Sequence, residues 1–573
     1  MLLQLIKDVF YTIGVKFHLN KKRPRAIISI SPTKLRNWFI GDPILDWFNL
    51  HGEEKGFQKD EATYINHILQ RGISFEQYVL DALEPKIRNF ILTDVGKKYS
   101  SYCPEGVSYT RQLMHKSCPI IYQGQLCDEQ LGVHGMPDLL IHKHIFHQIF
   151  DNVEPLDDSQ IPYIVVDIKC SSLQLGAKGQ LLNNGSMKAY KAQLFVYCKI
   201  LENMWMGNQT MDTQLQQPIA FLLGRCVKQR TDILDGKTNP VKVDLNDEKM
   251  YEKVPLAMAW YRDCKENGSS WDVYNPQRNE MRVNMKNGND SPWHSAKKLV
   301  AERQNDLTQL WGISKQTRDD IADGTTTIGD YCSDVKNEKR RKTVETVHEM
   351  NSDSEDDMHM DIEDRQSLRD ALSGKMNFYV DFEFINSVEW SYEPVTRNHL
   401  YMIGCGYEKD GEFIYKCFIP RQLTAKEEKL NIYNWLQYMY SISRQQDKQC
   451  QVIHWTRAEP NMFDKLKVEF GFRGNVQWFD LHPVFRDNQI VCKGMKNFSL
   501  KSVAKSMKEL GYIQTIWEDS IHDGIGANMI VLEGIQKNEQ NLQLFEKMHE
   551  VEKYNLVDCK TMWELVKYLQ PRI

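Results

Sequence analysis

The sequence predicts a chain of several α/β domains, and three features support this prediction. Its 573 residues exceed what one hydrophobic core can organise, while 41% apolar and 11% aromatic residues suffice to bury several cores. Short apolar runs at 163–168 and 378–384 have the length and composition of buried strands. Apolar residues recur every three or four positions between 188 and 201, which is typical of a helix.

A first group of acids lies in and after such apolar runs. Asp138 falls within the strand-like run 133–141, and Asp167 lies in the run 163–168, with Lys169 two residues later. Phosphodiester hydrolysis requires divalent cations, which carboxylate oxygens bind, and a positioned water. Residues two apart on a strand share a face, so Lys169 could steer that water or stabilise developing charge. A solvated strand face would explain the same spacing.

Two further segments add polar groups to this pattern. Glu76 lies in a helix-like stretch, and Gln193 and Tyr197 share one face of the helix predicted at 188–201. In chain order, the motifs G-x-x-x-E, G-x-x-D, D-x-K and Q-x-x-x-Y resemble the motif set of the RecB-type PD-(D/E)XK nucleases. The resemblance covers about residues 29–225.

This resemblance implies a restriction-endonuclease-like core and a role for each matched residue. Lys188 and Lys191, on the same predicted helix, are further candidates for DNA contact, and a solvated helix face explains them equally well. Many relatives bind an iron–sulfur cluster through a cysteine after the first helix, but this chain has 41-GDP-43 there, so we expect no cluster. The implied roles are metal binding by Glu76, Asp138 and Asp167, catalysis by Lys169, and bracing and DNA contact by Gln193 and Tyr197.

Cysteine usage and hydropathy indicate a soluble intracellular protein. The 13 cysteines are scattered singly without a C-x-x-C pair, unlike those of zinc or cluster sites. The sequence has neither an apolar stretch of 18 residues nor a secretory signal, so we expect no membrane contact. Residues 1–28 are interpreted as a separate N-terminal segment. The basic patch from Lys339 to Lys342 leaves nucleus and cytoplasm both open.

Two segments between the first group of acids and the C-terminal third have distinct sequence patterns. Segment 284–332 contains two helix-like stretches around Gly324 and resembles a helix-hairpin-helix element, in which turn amides hold a DNA phosphate; an ordinary helical hairpin is the alternative. Segment 333–374 is poor in large apolar residues and has seven acids between 352 and 364, which predicts a charged linker. The rest of the chain is near neutral, so DNA binding would depend on local basic surface.

A second group of acids lies in the C-terminal third. Asp381 and Glu383 alternate with aromatic residues in the run 378–384, so both carboxylates share one strand face. Burying them there without cations would be costly. Tyr554 and Asp558 are four residues apart in a predicted helix at about 542–569 and share a face as well.

D-x-E on an early strand with Y-x-x-x-D on the last helix resembles the DEDDy branch of the DnaQ-like 3′ to 5′ exonucleases, which have an RNase H fold. In that scheme carboxylates hold two metal ions, here Mg²⁺ or Mn²⁺, and the tyrosine hydroxyl orients the attacking water. Glu459 and Asp464 are both candidates for the middle ligand, and we prefer Glu459. The implied residues are Asp381, Glu383, Glu459 and Asp558 as metal ligands and Tyr554 as the catalytic tyrosine.

Together the resemblances imply a metal-dependent DNA nuclease that acts on single strands or ends in replication, repair or recombination. Two alternatives stay open: a nucleic-acid-binding scaffold with one or both sites inactive, and an RNA 3′ to 5′ exonuclease that uses the C-terminal domain alone. A Walker A sequence is lacking, so a helicase would be a separate partner. The expected domains are a RecB-like domain at 29–283, a connector at 284–332, a linker at 333–374 and an RNase H-like domain at 375–573.

Overall fold

The computed structural model is a mixed α/β structure with 49% helix and 16% strand, in agreement with the predicted α/β class. The predicted N-terminal segment 1–28 lies outside the described residues. Within the described part of the chain, no helix is both long and apolar enough to cross a membrane. The structure describes residues 29–60, 63–154, 156, 160–207, 210–216, 219–352, 354–386, 397–517, 524–537 and 541–573.

A six-stranded sheet organises the N-terminal half. The strands of this half are β1 (Leu92–Asp94), β2 (Ile120–Tyr122), β3 (Leu126–Asp128), β4 (Val133–Gly135), β5 (Leu139–His142), β6 (Tyr163–Ile168), β7 (Ser172–Leu175), β8 (Ala220–Leu223), β9 (Cys226–Gln229), β10 (Asp232–Asp235) and β11 (Val241–Lys242). The large sheet has the order β1-β2-β5-β6-β8-β11, while β3-β4 and β10-β9-β7 form two smaller sheets. The predicted run 133–141 is divided between β4 and β5 at Pro137, which has no N–H for a strand ladder.

Helices of the N-terminal half either cover the two faces of this sheet or pack in a separate core. They are α1 (Arg36–Phe39), α2 (Ile44–Trp47), α3 (Thr63–Ile87), α4 (Val95–Lys98), α5 (Pro104–His115), α6 (Lys143–Ile149), α7 (Met187–Met206), α8 (Met250–Asn267) and α9 (His294–Gln304). Of these, α2 and α9 pack in the separate core. Val165 of β6 packs in the same core as α7, whereas Val166 packs with α3 and α6 on the other face. Because side chains alternate along a strand, Asp167 lies on the α7 side of the sheet.

After α9, the connector forms two short helices around a glycine turn, as the sequence predicts. They are α10 (Lys315–Ala322) and α11 (Ile328–Asp334), and Gly324 between them has a φ of +72°, a conformation that favours glycine. Arg318 of α10 is buried and donates from Nη1 to the carbonyl of Val283 at 2.7 Å. It also forms an ion pair with Asp306, so a buried guanidinium fixes the hairpin to the segment before it.

Segment 333–374, which we predict to be a linker, has regular structure in its described residues. It forms α12 (Glu338–Ser352), β12 (Met358–His359) and α13 (Arg365–Leu372). Val344, Val347 and Met350 of α12 are buried in a core that the C-terminal half supplies. The described residues of this segment therefore form packed structure, because a few apolar residues at helical spacing suffice when other segments provide the rest of the core. That the segment links two domains stays a prediction. The domain boundaries themselves stay predictions.

A five-stranded sheet organises the C-terminal half. The remaining strands are β13 (Lys375–Ile385), β14 (His399–Lys409), β15 (Glu412–Phe418), β16 (Gln449–His454), β17 (Trp478–Asp480) and β18 (Val491–Cys492), the last of which pairs with β12. The order in the large sheet is β15-β14-β13-β16-β17. The central strand β13 is antiparallel to β14 and parallel to β16, so it is enclosed on both sides.

Helices pack on both faces of this sheet too. They are α14 (Ala425–Gln445), α15 (Ala458–Phe470), α16 (Leu481–Asp487), α17 (Leu500–Glu509), α18 (Gly524–Gln536) and α19 (Met548–Leu569). Phe382 of β13 packs against Trp435 of α14, with ring centroids 5.4 Å apart. Its neighbours Asp381 and Glu383 therefore face the opposite side, which α19 covers. The last helix begins at Met548, later than the predicted 542.

Candidate metal centres

Three carboxylates meet on the central strand of the C-terminal sheet. Asp381, Glu383 and Asp558 each offer one oxygen, and these oxygens all lie within 4.8 Å of one another. The first two leave the same face of β13, and α19 brings Asp558 over that face. In the part of the chain that the structure describes, no other group of three or more His, Cys, Asp or Glu side chains meets this criterion. The sequence predicted these three residues as ligands of one centre.

The environment of this acidic cluster disfavours its negative charge. Burial raises the pKa of Asp381 and of Asp558 well above the ordinary value, and the neighbouring carboxylates raise it further. Burial and the charge of Asp558 raise the pKa of Glu383 to about 7. Three acids this close to one another, two of them buried and Asp381 half-buried, are costly as anions unless a cation compensates them. Their oxygen donors therefore fit Mg²⁺ or Mn²⁺.

Metal binding to the acidic cluster is expected to strengthen between pH 6 and pH 8, because Glu383 must lose its proton to act as a ligand. In the metal-free chain, the pKa of Glu383 in the folded state is about 7, above the ordinary value of 4.5. Protonation of Glu383 therefore stabilises the fold fully at a pH below 4.5, and this contribution is lost as the pH rises through 7. Thermal unfolding should show a larger Mn²⁺-induced rise in Tm at pH 8 than at pH 6. An equal rise at both values would contradict the expectation, and Glu383→Gln should reduce the difference.

Asn555 positions the acidic cluster, and the sequence reasoning missed it. It is fully buried in α19, and its Nδ2 donates to Asp381 Oδ2 at 2.8 Å and to Glu383 Oε1 at 3.4 Å. Its Oδ1 accepts a hydrogen bond from the Tyr415 hydroxyl at 3.0 Å. A Cβ at Gly404 of β14 would collide with this amide, so glycine makes the room that Asn555 occupies. Its position three residues before a predicted ligand was the available signal.

Asn555→Ala is expected to weaken Mn²⁺ binding about ten- to a hundredfold, because the amide orients two ligands. It should also lower the free energy of unfolding by about 1–3 kcal/mol, the cost of losing a buried hydrogen-bond partner. Asn431→Ala is the matched control, since that buried amide donates to the carbonyl of Phe418 at 2.9 Å, away from the acids. Calorimetric Mn²⁺ titration and thermal unfolding of both variants test this. Equal Mn²⁺ affinities would refute the positioning role.

The two alternatives for the middle ligand differ in position. Glu459 is buried at the start of α15, and its charge raises the pKa of Asp381, although burial has the larger effect. Burial also raises the pKa of Glu459 itself, and a carboxylate oxygen lies 3.6 Å from His454 Nδ1. Asp464 is exposed. Glu459 therefore lies beside the acidic cluster, outside the group of three, and is the better placed of the two.

Tyr554 lies one turn before Asp558 on α19. Its side chain is half-buried and packs at the edge of a core formed by β13, β14, α18 and α19. The Nζ of Lys501 lies 4.9 Å from the centroid of its ring. The spacing of four residues thus directs Tyr554 and Asp558 to neighbouring positions on one helix face, as the sequence predicts.

The first group of acids centres on an ion pair at the end of β6. Lys169 Nζ lies 2.5 Å from Asp167 Oδ2. Asp167 is fully buried, and within the described residues its Oδ1 has no hydrogen-bond donor. Burial lowers the pKa of Lys169, but the carboxylates of Asp167 and Asp138 outweigh this effect, and the net shift is upward. Lys169 is therefore charged at neutral pH.

Asp138 and Glu76 lie near this ion pair but are held by other groups. Asp138 Oδ2 accepts a hydrogen bond from the backbone N–H of Ile168 at 2.6 Å. Burial raises the pKa of Asp138, and the charges of Asp167 and Glu76 raise it further. Glu76 Oε1 accepts from Gln123 Nε2 at 3.1 Å, a contact that the sequence did not reveal. The three acids are electrostatically coupled without forming a compact cluster.

Two residues of α7 brace the loop before Asp138. Gln193 Nε2 donates to the hydroxyl of Tyr197 at 2.9 Å, and that hydroxyl donates to the carbonyl of Met136 at 3.3 Å. Both side chains are buried. The predicted bracing pair is thus formed. Contact of Gln193 or Tyr197 with DNA stays a prediction.

The two lysines of α7 have different surroundings. Lys191 is buried, with its Nζ 2.5 Å from Asp247 Oδ2 and 3.2 Å from the carbonyl of Leu181. Its predicted contact with DNA is therefore wrong, because its ammonium is enclosed in the packing of the helix. Lys188 keeps 36% of its side chain exposed and lies 3.4 Å from Glu248, so its contact with DNA stays a prediction.

The two groups of acids balance their charge differently. In the N-terminal group, Lys169 is paired with Asp167. In the C-terminal group, three carboxylates share one small volume. The acidic cluster of Asp381, Glu383 and Asp558 is therefore the stronger candidate for a metal centre. No protein-family model, curated protein or solved structure matches this chain.

Proposed function

We propose that this chain is a metal-dependent nuclease whose C-terminal site degrades nucleic acid from the 3′ end, with single-stranded DNA as the expected substrate. The observation that supports this most is the approach of Asp381, Glu383 and Asp558 to within 4.8 Å. Their positions on β13 and α19 are those that the resemblance to DEDDy exonucleases implies. An RNase H-like fold for this half belongs to the same proposal.

The residues of the C-terminal site have distinct parts in the proposed reaction. The acidic cluster would hold the divalent cations, which when bound neutralise the phosphate and lower the pKa of water. Asn555 keeps two of the three carboxylates oriented through its amide. The hydroxyl of Tyr554 would orient the attacking water by hydrogen bonding, as a half-buried side chain one turn from Asp558 can. Glu459 adds negative charge at the edge of the centre.

We further propose a second, PD-(D/E)XK-type nuclease site around Asp167 and Lys169. Its support is that these side chains share the α7 face of the sheet and that the Oδ1 of Asp167 is buried without a donor in the described chain. Asp138, Asp167 and Glu76 would be the ligands of a cation there. Lys169 would stabilise charge on the phosphate once its bond to Asp167 is shared with that cation.

An end-labelled substrate assay tests both sites. We expect the purified chain to shorten single-stranded DNA in Mn²⁺ and to stop in chelator. Asp381→Asn and Asp167→Asn, made singly and together, assign the cleavage to one site or the other. A chain that binds DNA but cleaves neither DNA nor RNA with any divalent ion would be a scaffold, and the proposal would fail. Faster cleavage of RNA than DNA would overturn the substrate assignment.

A further inference from the structure

Lys501 is a cation beside the acidic cluster that the proposed reaction does not use. It is the second residue of α17, a helix of ten residues whose N-cap Ser499 accepts a hydrogen bond from the N–H of Ser502. Its Nζ lies 4.9 Å from the ring centroid of Tyr554 and 5.5 Å from that of Trp517. The ammonium therefore sits where α17 and α19 meet, on the side of α19 that holds Asp558.

The electrostatics of the cluster include this ammonium. Burial is the main cause of the raised pKa values of Asp381 and Asp558, and Lys501 opposes it for both. The N-terminus of α17 adds partial positive charge at the same place. Lys501 is thus a positive side chain that acts on both Asp381 and Asp558.

A positive group in this position has two effects of opposite sign. It repels an incoming divalent cation, which weakens metal binding, and it attracts a phosphate, which strengthens nucleic-acid binding. A lysine that only stabilised the fold would produce neither effect selectively. This difference in sign separates a binding role from a structural one.

We propose that Lys501 binds a phosphate oxygen of the nucleic acid at the C-terminal site, next to the bond that is cleaved. This inference rests on the proposed nuclease function. The ammonium is a compact charge on a flexible stem, so it can move from the carboxylates to a phosphate as the cations compensate the acids. The ring of Tyr554, whose centroid lies 4.9 Å from the Lys501 ammonium, keeps that charge near the reacting phosphate.

Lys501→Met tests the inference by two binding measurements on the full chain. In the absence of substrate, Mn²⁺ affinity by electron paramagnetic resonance should increase several-fold, counting only the sites that Asp381→Asn removes. At saturating Mn²⁺, the affinity for a short phosphorothioate oligothymidylate that resists cleavage should fall about tenfold, the loss of one charge-assisted hydrogen bond. Lys501→Arg should retain most of the oligonucleotide affinity.

Lys505→Met is the matched control. Lys505 is exposed one turn further along α17, and its Nζ lies 3.8 Å from Glu509 Oε1. Its replacement should change neither the Mn²⁺ affinity nor the oligonucleotide affinity. If Lys501→Met leaves both affinities unchanged, or lowers both, the inference is overturned. If the unsubstituted chain binds no Mn²⁺ that depends on Asp381, the proposed function fails instead. The two failures are therefore distinguishable.

Discussion

Replacing Asp381 by asparagine is expected to reduce 3′ to 5′ cleavage by at least about a thousandfold, because removing a metal ligand costs several kcal/mol of transition-state stabilisation and each tenfold is about 1.4 kcal/mol. The same change should raise the thermal stability of the metal-free chain. Asp381 is one of three mutually repelling acids, and asparagine keeps its size while removing its charge. Loss of activity with a gain in stability is typical of a site whose acids repel one another when no cation is bound.

Asp464→Asn provides the comparison for this prediction, since it removes an exposed acid from the same half of the chain. It should leave both cleavage and stability unchanged. Release of label from 3′-labelled DNA in Mn²⁺ and thermal unfolding in chelator are the two measurements. Cleavage by Asp381→Asn within a few-fold of the unsubstituted chain would show that the acidic cluster is not the catalytic centre.

Replacing Lys169 by methionine is expected to lower the free energy of unfolding by about 3–5 kcal/mol, because it leaves a buried carboxylate without its counter-charge. Asp167 is fully buried and lies 2.5 Å from the Lys169 ammonium. Removing both charges with Asp167→Asn and Lys169→Met should recover most of the lost stability, since a neutral pair requires no compensation. Denaturant unfolding of the two single variants and the double variant measures this coupling.

Cleavage assays distinguish a catalytic role of Asp167 and Lys169 from their contribution to stability. Activity that remains in the Asp381→Asn chain is assigned to the N-terminal site. When Lys169→Met, alone or together with Asp167→Asn, is added to the Asp381→Asn chain, this remaining activity should disappear. Retention of that activity in the double variant would restrict Asp167 and Lys169 to a structural role. A double variant as unstable as Lys169→Met would contradict the coupling.

The strands that hold the acids could be predicted because their signal is local. The apolar run at 163–168 matches β6 residue for residue, and the run at 378–384 lies within β13. A short, mainly apolar segment is most stable inside a sheet, whatever the rest of the chain does, even where single acids interrupt it. The strand expected across 133–141 was wrong at Pro137, where backbone chemistry overrides apolar composition.

The features that were missed depend on contacts between distant segments. Asn555 orients Asp381 only because α19 crosses β13 and Gly404 leaves space for the amide. Val347 looks like an isolated apolar residue in a charged segment, and it is buried by residues more than a hundred positions away. Spacing along one helix predicts which residues share a face, but it does not predict what that face meets.

Anomalous X-ray scattering from crystals grown with Mn²⁺ tests the central claim most directly. The account predicts anomalous density bounded by the carboxylates of Asp381, Glu383 and Asp558 and lost in crystals of Asp381→Asn. Well-ordered carboxylates with no anomalous density between them, at millimolar Mn²⁺ and a pH above 7, would contradict it.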